Sequence, residues 1–493
     1  TIRTPPLPAT GDWEMAGKRM DKIYRQVIKM TRLPKIFSNG LGSPQLLERL
    51  VNNFPYFRDP DFVRKSLLDK YGRHHPIQIN RKYVSDDKKL NVLEGSFQSP
   101  FDEMMPGCMP VETRTAHFTM WLPRTAASRD PACQPPVVLH LAGTGDYSVT
   151  LQQLHAQRLA YLGVGSLLLV NPFYKPRRPA SQKYSSLPHL SDLFLMGGSL
   201  ILECWLLLRW LEDRGYSPLA LHGVSLGGFM ASLAASVYNR PLPLVPCLSW
   251  TSSSPCYVRG SLSDSLDWEV IRQQLAGDAA FRERIWPLIR DSGCPPRYRV
   301  PATFADPLQA AAKGDNGVDP NPAWLTDSIR SLGSLERLRS VYTSISDYGV
   351  GLFASGQRSR DDQTPTQDDI QMMNAMENKH RQQRHQPDTA EEKDVREFVT
   401  CLLDYFTHMG NFEPPVGPIY SLQALGDGYI PRDGVFPLTE LWPDMHCRVV
   451  NGGHVNTIFM NLYFPTKPHD LRNIVLESMG LFDSALNKPR LRL

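Results

Sequence analysis

The run Leu219-Ala220-Leu221-His222-Gly223-Val224-Ser225-Leu226-Gly227-Gly228 joins an apolar strand to a helix through a serine flanked by glycines. Its centre is G-x-S-x-G. At ordinary Gly and Ser usage that string arises by chance roughly 0.2 times in a chain this long, so its setting carries the reading. Leu219–Leu221 supply the strand. Gly228 and the small residues Ala231, Ala234 and Ala235 open the helix. A serine at such a strand-turn-helix junction is held in a strained backbone conformation with its Oγ exposed. Gly223 and Gly227 are the elbow glycines, because a side chain at either position would strike the neighbouring strand or helix.

Outward from the elbow, strands and helices alternate. Arg114–Leu122, Val137–Leu141, Ser166–Val170 and Leu244–Trp250 read as strands, and Gln152–Leu162, Leu190–Asp213 and Leu226–Tyr238 as helices. This rhythm predicts an α/β fold of the α/β-hydrolase type, a mostly parallel central sheet with helices on both faces. It breaks over 251–395. It resumes with a helix at Val395–His408, strands at Ile419–Leu425 and Arg448–Val450, and a final helix after His454. The expected organisation is an N-terminal extension over 1–110, core over 111–250, a cap insertion over 251–395, and core again over 396–493.

Within the extension, Met15–Arg32 sets Ile23, Val27, Ile28 and Met30 among six Lys and Arg residues. That is a basic amphipathic helix, suited to a membrane surface or partner, though a basic face packed on its own domain is the simpler reading. Within the insertion, Leu262, Leu266, Trp268, Leu275, Phe281, Ile285, Trp286 and Leu288 suit a cover over the catalytic face, spanning about 255–345. Residues 354–394, rich in Gln, Asp, Arg and His, are too polar to fold alone and read as a segment ordered by other chains.

A serine hydroxyl needs a base to become a nucleophile. In this fold the chain order is serine, acid, histidine. Asp427, in Gly426-Asp427-Gly428, comes after one apolar strand, and His454, in Asn451-Gly452-Gly453-His454, after the next. Both lie where ligands meet an open α/β sheet. Asp404, mid-helix, and Asp444, after Pro443, are weaker candidates for the acid. The oxyanion needs two backbone donors. Leu226 supplies one, and Gly143 or Thr144 in His140-Leu141-Ala142-Gly143-Thr144-Gly145-Asp146 supplies the other. Asp146 is expected to brace that loop through backbone N–H groups. Lys175, Arg177 and Arg178 stand just past a strand end and could meet a phosphate headgroup, with a solvated basic loop as the plainer alternative.

Several longer strings make the chain similar to a known group. His140–Asp146 (HLAGTGD), Ser191–Gly198 (SDLFLMGG), Ser225–Ala234 (SLGGFMASLA), Pro246–Trp250 (PCLSW), Tyr429–Val435 (YIPRDGV) and Gly452–His454 (GGH) resemble the alpha/beta-hydrolase-domain-containing protein eighteen family of eukaryotes. The resemblance runs over most of the chain and is poorest in 251–395. It implies a Ser-Asp-His triad, falling here on Ser225, Asp427 and His454, and an association with lipid ester hydrolysis and with mitochondria. The chain departs from the family at Phe229, where His is frequent, and at Gly426 and Gly428.

Composition narrows the alternatives. There are 54 basic and 50 acidic residues among 493, too even a balance to point to nucleic acid. Mean hydropathy is −0.32, and no apolar run approaches the ~20 residues of a spanning helix. The best stretch, Ser199–Leu208, contains Glu203. Eight cysteines form no C-x-x-C pair and no zinc-ligand spacing with histidine. Free thiols, no cofactor and no metal are the expectation. Thr1 is not Met, which removal of a transit peptide or a trimmed chain would equally explain. Two functions remain. One is a serine hydrolase of acyl esters working through an acyl-enzyme, with a phospholipid or other lipid as the substrate that the resemblance implies. The other is a structural or accessory subunit of a large mitochondrial membrane complex, joined through 354–394 and the N-terminal extension. The resemblance implies a mitochondrial location, with a cytoplasmic alternative, and peripheral membrane contact is compatible with either.

Overall fold

Ser43 and Asp59 begin the two helices nearest the N-terminus. In α1 (Pro44–Arg58) the Ser43 side chain accepts from the Leu46 amide, and in α2 (Pro60–Tyr71) the Asp59 side chain accepts from the Asp61 and Phe62 amides. Each helix has proline at its first position, where the missing N–H costs nothing. The computed structural model describes residues 35–72, 74–124, 134–146, 150–290, 294–299, 389–432, 434–450, 452–455, 457–458, 470–483 and 488–489. The basic helix expected at 15–32, the cap residues 300–345 and most of the polar segment, 354–388, lie outside the described residues.

Next come β1 (Gln78–Val84) and β2 (Leu90–Gln98), which pair antiparallel with each other, while β2 pairs antiparallel with β3 (Thr115–Pro123). The extension expected over 1–110 is therefore not separate from the core, because two of its strands belong to the central sheet. Six of the seven β1 residues are exposed. An edge strand this polar carries no apolar run for sequence reading to find.

The remaining elements of the first core segment are β4 (Val137–Leu141), α3 (Thr150–Tyr161), β5 (Gly165–Leu169), α4 (Leu190–Glu212), β6 (Leu219–Val224), α5 (Leu226–Tyr238) and β7 (Leu244–Cys247). Sheet order is β1-β2-β3-β5-β4-β6-β7. β3 runs antiparallel to β5, and β5, β4, β6 and β7 are mutually parallel. β4 and β5 are buried along their whole length, as strands covered by helices on both faces must be. α4 is long and apolar enough to cross a membrane, but its apolar window is wholly buried in the protein core.

Residues 251–290 climb away from β7. Tight turns at 255–265 lead into α6 (Trp268–Gly277) and α7 (Ala279–Arg290). Ile271, Leu275, Phe281, Ile285 and Ile289 are buried. α7 packs on α1 and on α8 (Ala390–Thr407), with Trp286 stacked on Phe398. Among the described residues of the expected cover, the 255–266 turns adjoin the acid loop described below, while α6 packs on α8, and α7 on α1 and α8. After α8 come β8 (Tyr420–Ala424), β9 (His446–Val450) and α9 (Leu471–Ser478). β8 and β9 are parallel. Leu244 donates its amide to Pro418 O (3.0 Å) and Leu248 to Leu422 O (2.7 Å), joining this pair to the β7 edge.

Candidate active site

The parallel strands β6 and β4 end side by side, so the elbow beyond β6 and the glycine loop beyond β4 face each other. Ser225 leaves β6 with φ 58° and ψ −126°, a left-handed backbone that a side-chain-bearing residue adopts only when its surroundings force it. Two backbone hydrogen bonds and the close packing of the flanking glycines do so. The Ser225 amide donates to Cys247 O at 2.9 Å and its carbonyl accepts from the Phe229 amide at 2.9 Å. A Cβ on Gly223 would lie 2.2 Å from the Gly227 carbonyl carbon, and one on Gly227 only 2.1 Å from Leu141 O. No residue but glycine fits either position.

The acid and the base converge because β8 and β9 stay in register beyond their ends. Ala424 pairs with Val450. The Leu425 amide then donates to Val450 O (3.0 Å) and the Gly426 amide to Gly452 O (2.8 Å). The two loops leave the sheet together, one carrying Asp427 and the other His454. His454 Nδ1 lies 2.7 Å from Asp427 Oδ2 and His454 Nε2 lies 2.8 Å from Ser225 Oγ. Asp427 Oδ1 accepts from the Tyr429 and Ile430 amides at 2.9 and 3.0 Å. His454 is buried and Ser225 retains partial exposure. A hydroxyl within hydrogen-bond reach of an imidazole, itself oriented by a carboxylate, can be deprotonated as it attacks a carbonyl.

The glycine loop backs onto the elbow. A Cβ on Gly143 would lie 3.0 Å from Val224 O and 3.9 Å from the Ser225 Cβ. Tyr174 donates its hydroxyl to Gly143 O at 3.1 Å. Asn171 Nδ2 donates to Ala142 O, also at 3.1 Å. Asp146 Oδ2 accepts from the Gln152 amide at 3.3 Å in the first turn of α3. Thr144 stands next to Gly143 in the same loop. Leu226 is the first residue of α5, so its amide has no acceptor one turn back.

The structure also shows supporting residues that the sequence reading missed. The Tyr429 ring stacks on His454. Ser261 Oγ donates to Gly428 O at 2.6 Å, and a Cβ on Gly260 would lie 2.3 Å from Tyr429 O. The turns after β7 thus clamp the acid loop. The one available signal was proximity, since Tyr429 stands two residues after Asp427.

One expectation is corrected. Arg177 does not face a headgroup. It is fully buried, with Nη1 and Nη2 on Glu203 at 2.8 and 2.7 Å and further donations to Thr113 O and Val170 O. Every guanidinium nitrogen is engaged inside the core. Lys175 is exposed and Arg178 half-buried on the same loop. Asp404, a weaker candidate for the acid, leaves the His454 Nδ1 contact to Asp427. It is buried among Ser252, Ser254 and Asn411. Phe229 is fully buried and stacks on Trp250 with centroids 5.2 Å apart.

Compared with known proteins, residues 34–465 match the family described as alpha/beta hydrolase domain containing 18. Among solved structures, the chain is similar to an acetyl xylan esterase from Paenibacillus sp. R4, with 14% identity, 83% of this chain and 93% of that one covered, and a TM-score of 0.39. It is also similar to acetyl xylan esterase 1 from Thermoanaerobacterium sp. JW/SL YS485, with 12% identity, coverage of 90% and 98%, and a TM-score of 0.34. At such identities and TM-scores nothing about substrate or site transfers from either.

Proposed function

The chain belongs to the alpha/beta hydrolase domain containing 18 family, and from that membership and the contacts of Ser225 we propose a serine hydrolase of acyl esters acting on a lipid ester. The observation that carries the proposal is the continuous line from Asp427 Oδ2 through His454 to Ser225 Oγ, with gaps of 2.7 and 2.8 Å. His454 Nε2 takes the Ser225 proton as Oγ attacks the ester carbonyl. The resulting oxyanion is held by the amides of Leu226 and of Gly143 or Thr144. His454 returns the proton to the leaving alcohol, and the ester bond to Ser225 remains. Water, deprotonated by His454, then releases the acid and restores Ser225. Asp427 fixes the tautomer with the Nδ1 proton and stabilises the imidazolium.

The lipid substrate rests on the family resemblance. Partial exposure of Ser225 in the isolated chain favours an enzyme over a purely structural subunit, whose serine would need no access. A fluorophosphonate probe followed by peptide mapping tests the nucleophile. Wild type should carry the adduct on Ser225, and Ser225→Ala should carry none. A folded wild type that resists the probe overturns the serine hydrolase. Fatty-acid release from phospholipid vesicles tests the substrate class. Turnover of short soluble esters with no release from vesicles overturns the lipid reading and leaves the esterase standing.

A further inference from the structure

Three histidines meet in the interior on the face of the sheet beneath α3. His140 on β4 and His222 on β6 are direct register partners, so their side chains leave the same face. His155 on α3 comes down onto them. Exposures are 1%, 5% and 5% for His140, His155 and His222. The His155 and His222 rings stack with centroids 5.0 Å apart. His140 Nδ1 lies 3.0 Å from His222 Nδ1, and His140 Nε2 lies 3.1 Å from Ser166 Oγ. One nitrogen from each of the three rings lies within 4.8 Å of one nitrogen from each of the others.

Hydrogen bonding among the rings does not satisfy this cluster. If His140 Nδ1–H donates to His222 Nδ1, then His222 carries its proton on Nε2, and that donor has no acceptor. If His222 Nδ1–H donates instead, Nε2 is a lone pair with no donor. His222 Nε2 and His155 Nε2 are both buried without a partner among the described residues. A buried unpaired polar atom costs about 1–3 kcal/mol, and an ion held by His140 Nδ1 and His222 Nδ1 would give His155 Nε2 the partner that the protein does not supply.

We propose that His140, His155 and His222 bind one zinc ion, in a site separate from the serine. Three imidazole nitrogens at the usual ~2.0–2.1 Å from zinc lie roughly 3.3 Å apart. The His140 and His222 Nδ1 atoms, 3.0 Å apart, are already near that spacing, and a nitrogen of His155 lies within 4.8 Å of a nitrogen on each of the other two rings. The Ser166 hydroxyl then has the role of an outer-shell acceptor for His140 Nε2–H, fixing which nitrogen faces the ion.

The site would join the strands that carry the reaction. His140 stands three residues before Gly143, and His222 three before Ser225. The three ligands lie on three different elements, and 15 and 67 residues separate them in the chain, so no local motif announces them.

The test uses the full chain stripped with a chelator and titrated with zinc against a chromophoric competitor. Wild type should take up one equivalent, and cobalt in its place should give the visible bands of a tetrahedral imidazole complex. His155→Phe and His222→Gln should each weaken zinc binding by more than about 100-fold, since even an outer-shell partner is worth roughly 10–100-fold. Circular dichroism reports whether the variants fold. If they do not, the wild-type titration and cobalt spectrum decide alone. No uptake by folded wild type, uptake without the cobalt bands, or uptake that survives in both folded variants overturns the site.

Discussion

The Tyr429 ring lies over the His454 imidazole, with centroids 4.9 Å apart and planes 25° from parallel. The same residue donates its backbone amide to Asp427 Oδ1, so it supports acid and base at once. In the proposed reaction Tyr429 is a positioning residue. Removing its ring frees one face of His454, and a misplacement of about 1 Å costs about 100-fold in rate. Tyr429→Ala should lower kcat by roughly 10- to 100-fold with KM little changed, and Tyr429→Phe, which keeps the stack, should restore it. A fall confined to KM, or no rescue by Phe, sinks the positioning role.

Asp427→Asn keeps the size of the side chain and removes its charge. An amide at this position presents a donor to His454 Nδ1 or accepts less strongly from it, and the imidazole loses both its tautomer and its counter-charge. Turnover should drop by roughly 10³- to 10⁴-fold, the scale seen for the same change in serine proteases. Unfolding midpoints report whether the fold survives. Retention of more than a tenth of wild-type turnover would remove Asp427 from the triad.

Glu203 and Arg177 form an ion pair with both side chains fully buried. Glu203→Gln leaves the guanidinium buried without its counter-ion and should cost about 3–5 kcal/mol in chemical denaturation. Replacing both residues by leucine should not restore stability, because the Thr113 and Val170 carbonyls also depend on Arg177. A neutral Glu203→Gln would show that water reaches the pair.

The elbow and the order of the candidate catalytic groups were legible because both depend on short-range chemistry. Only glycine fits at Gly223 and Gly227, and the acid and histidine must stand just past strand ends. The parallel strands β4 to β7 were legible because full burial makes them continuous apolar runs. β1 was not, since an edge strand needs no apolar face. Arg177 misled because a basic triplet after a strand reads as a charged loop, and its partner Glu203 lies 26 residues away in the middle of an apolar helix. The histidine cluster left no trace, because register between β4 and β6 creates it and spacing does not.

Asp404 gives a pH prediction with a definite sign. Its carboxylate is buried at the end of α8, where the Ser252 and Ser254 hydroxyls donate to Oδ1. Burial outweighs those bonds and raises its pKa from 3.8 to about 6. In this case the folded state holds a proton that the unfolded state has released. Below pH 3.8 both states are protonated and the residue is neutral to stability. Between there and about pH 6 the unfolded chain is ionised first, so each unit of rising pH removes about 1.4 kcal/mol, and the total loss is about 3 kcal/mol. Asp404→Asn has no proton to lose. The difference in unfolding free energy between wild type and Asp404→Asn, measured in urea across pH 4 to 7, should shift in favour of the variant by about that amount. Other titrating groups cancel in the difference. A difference that stays constant over this range would mean that the carboxylate is solvated or paired, and that burial does not control it.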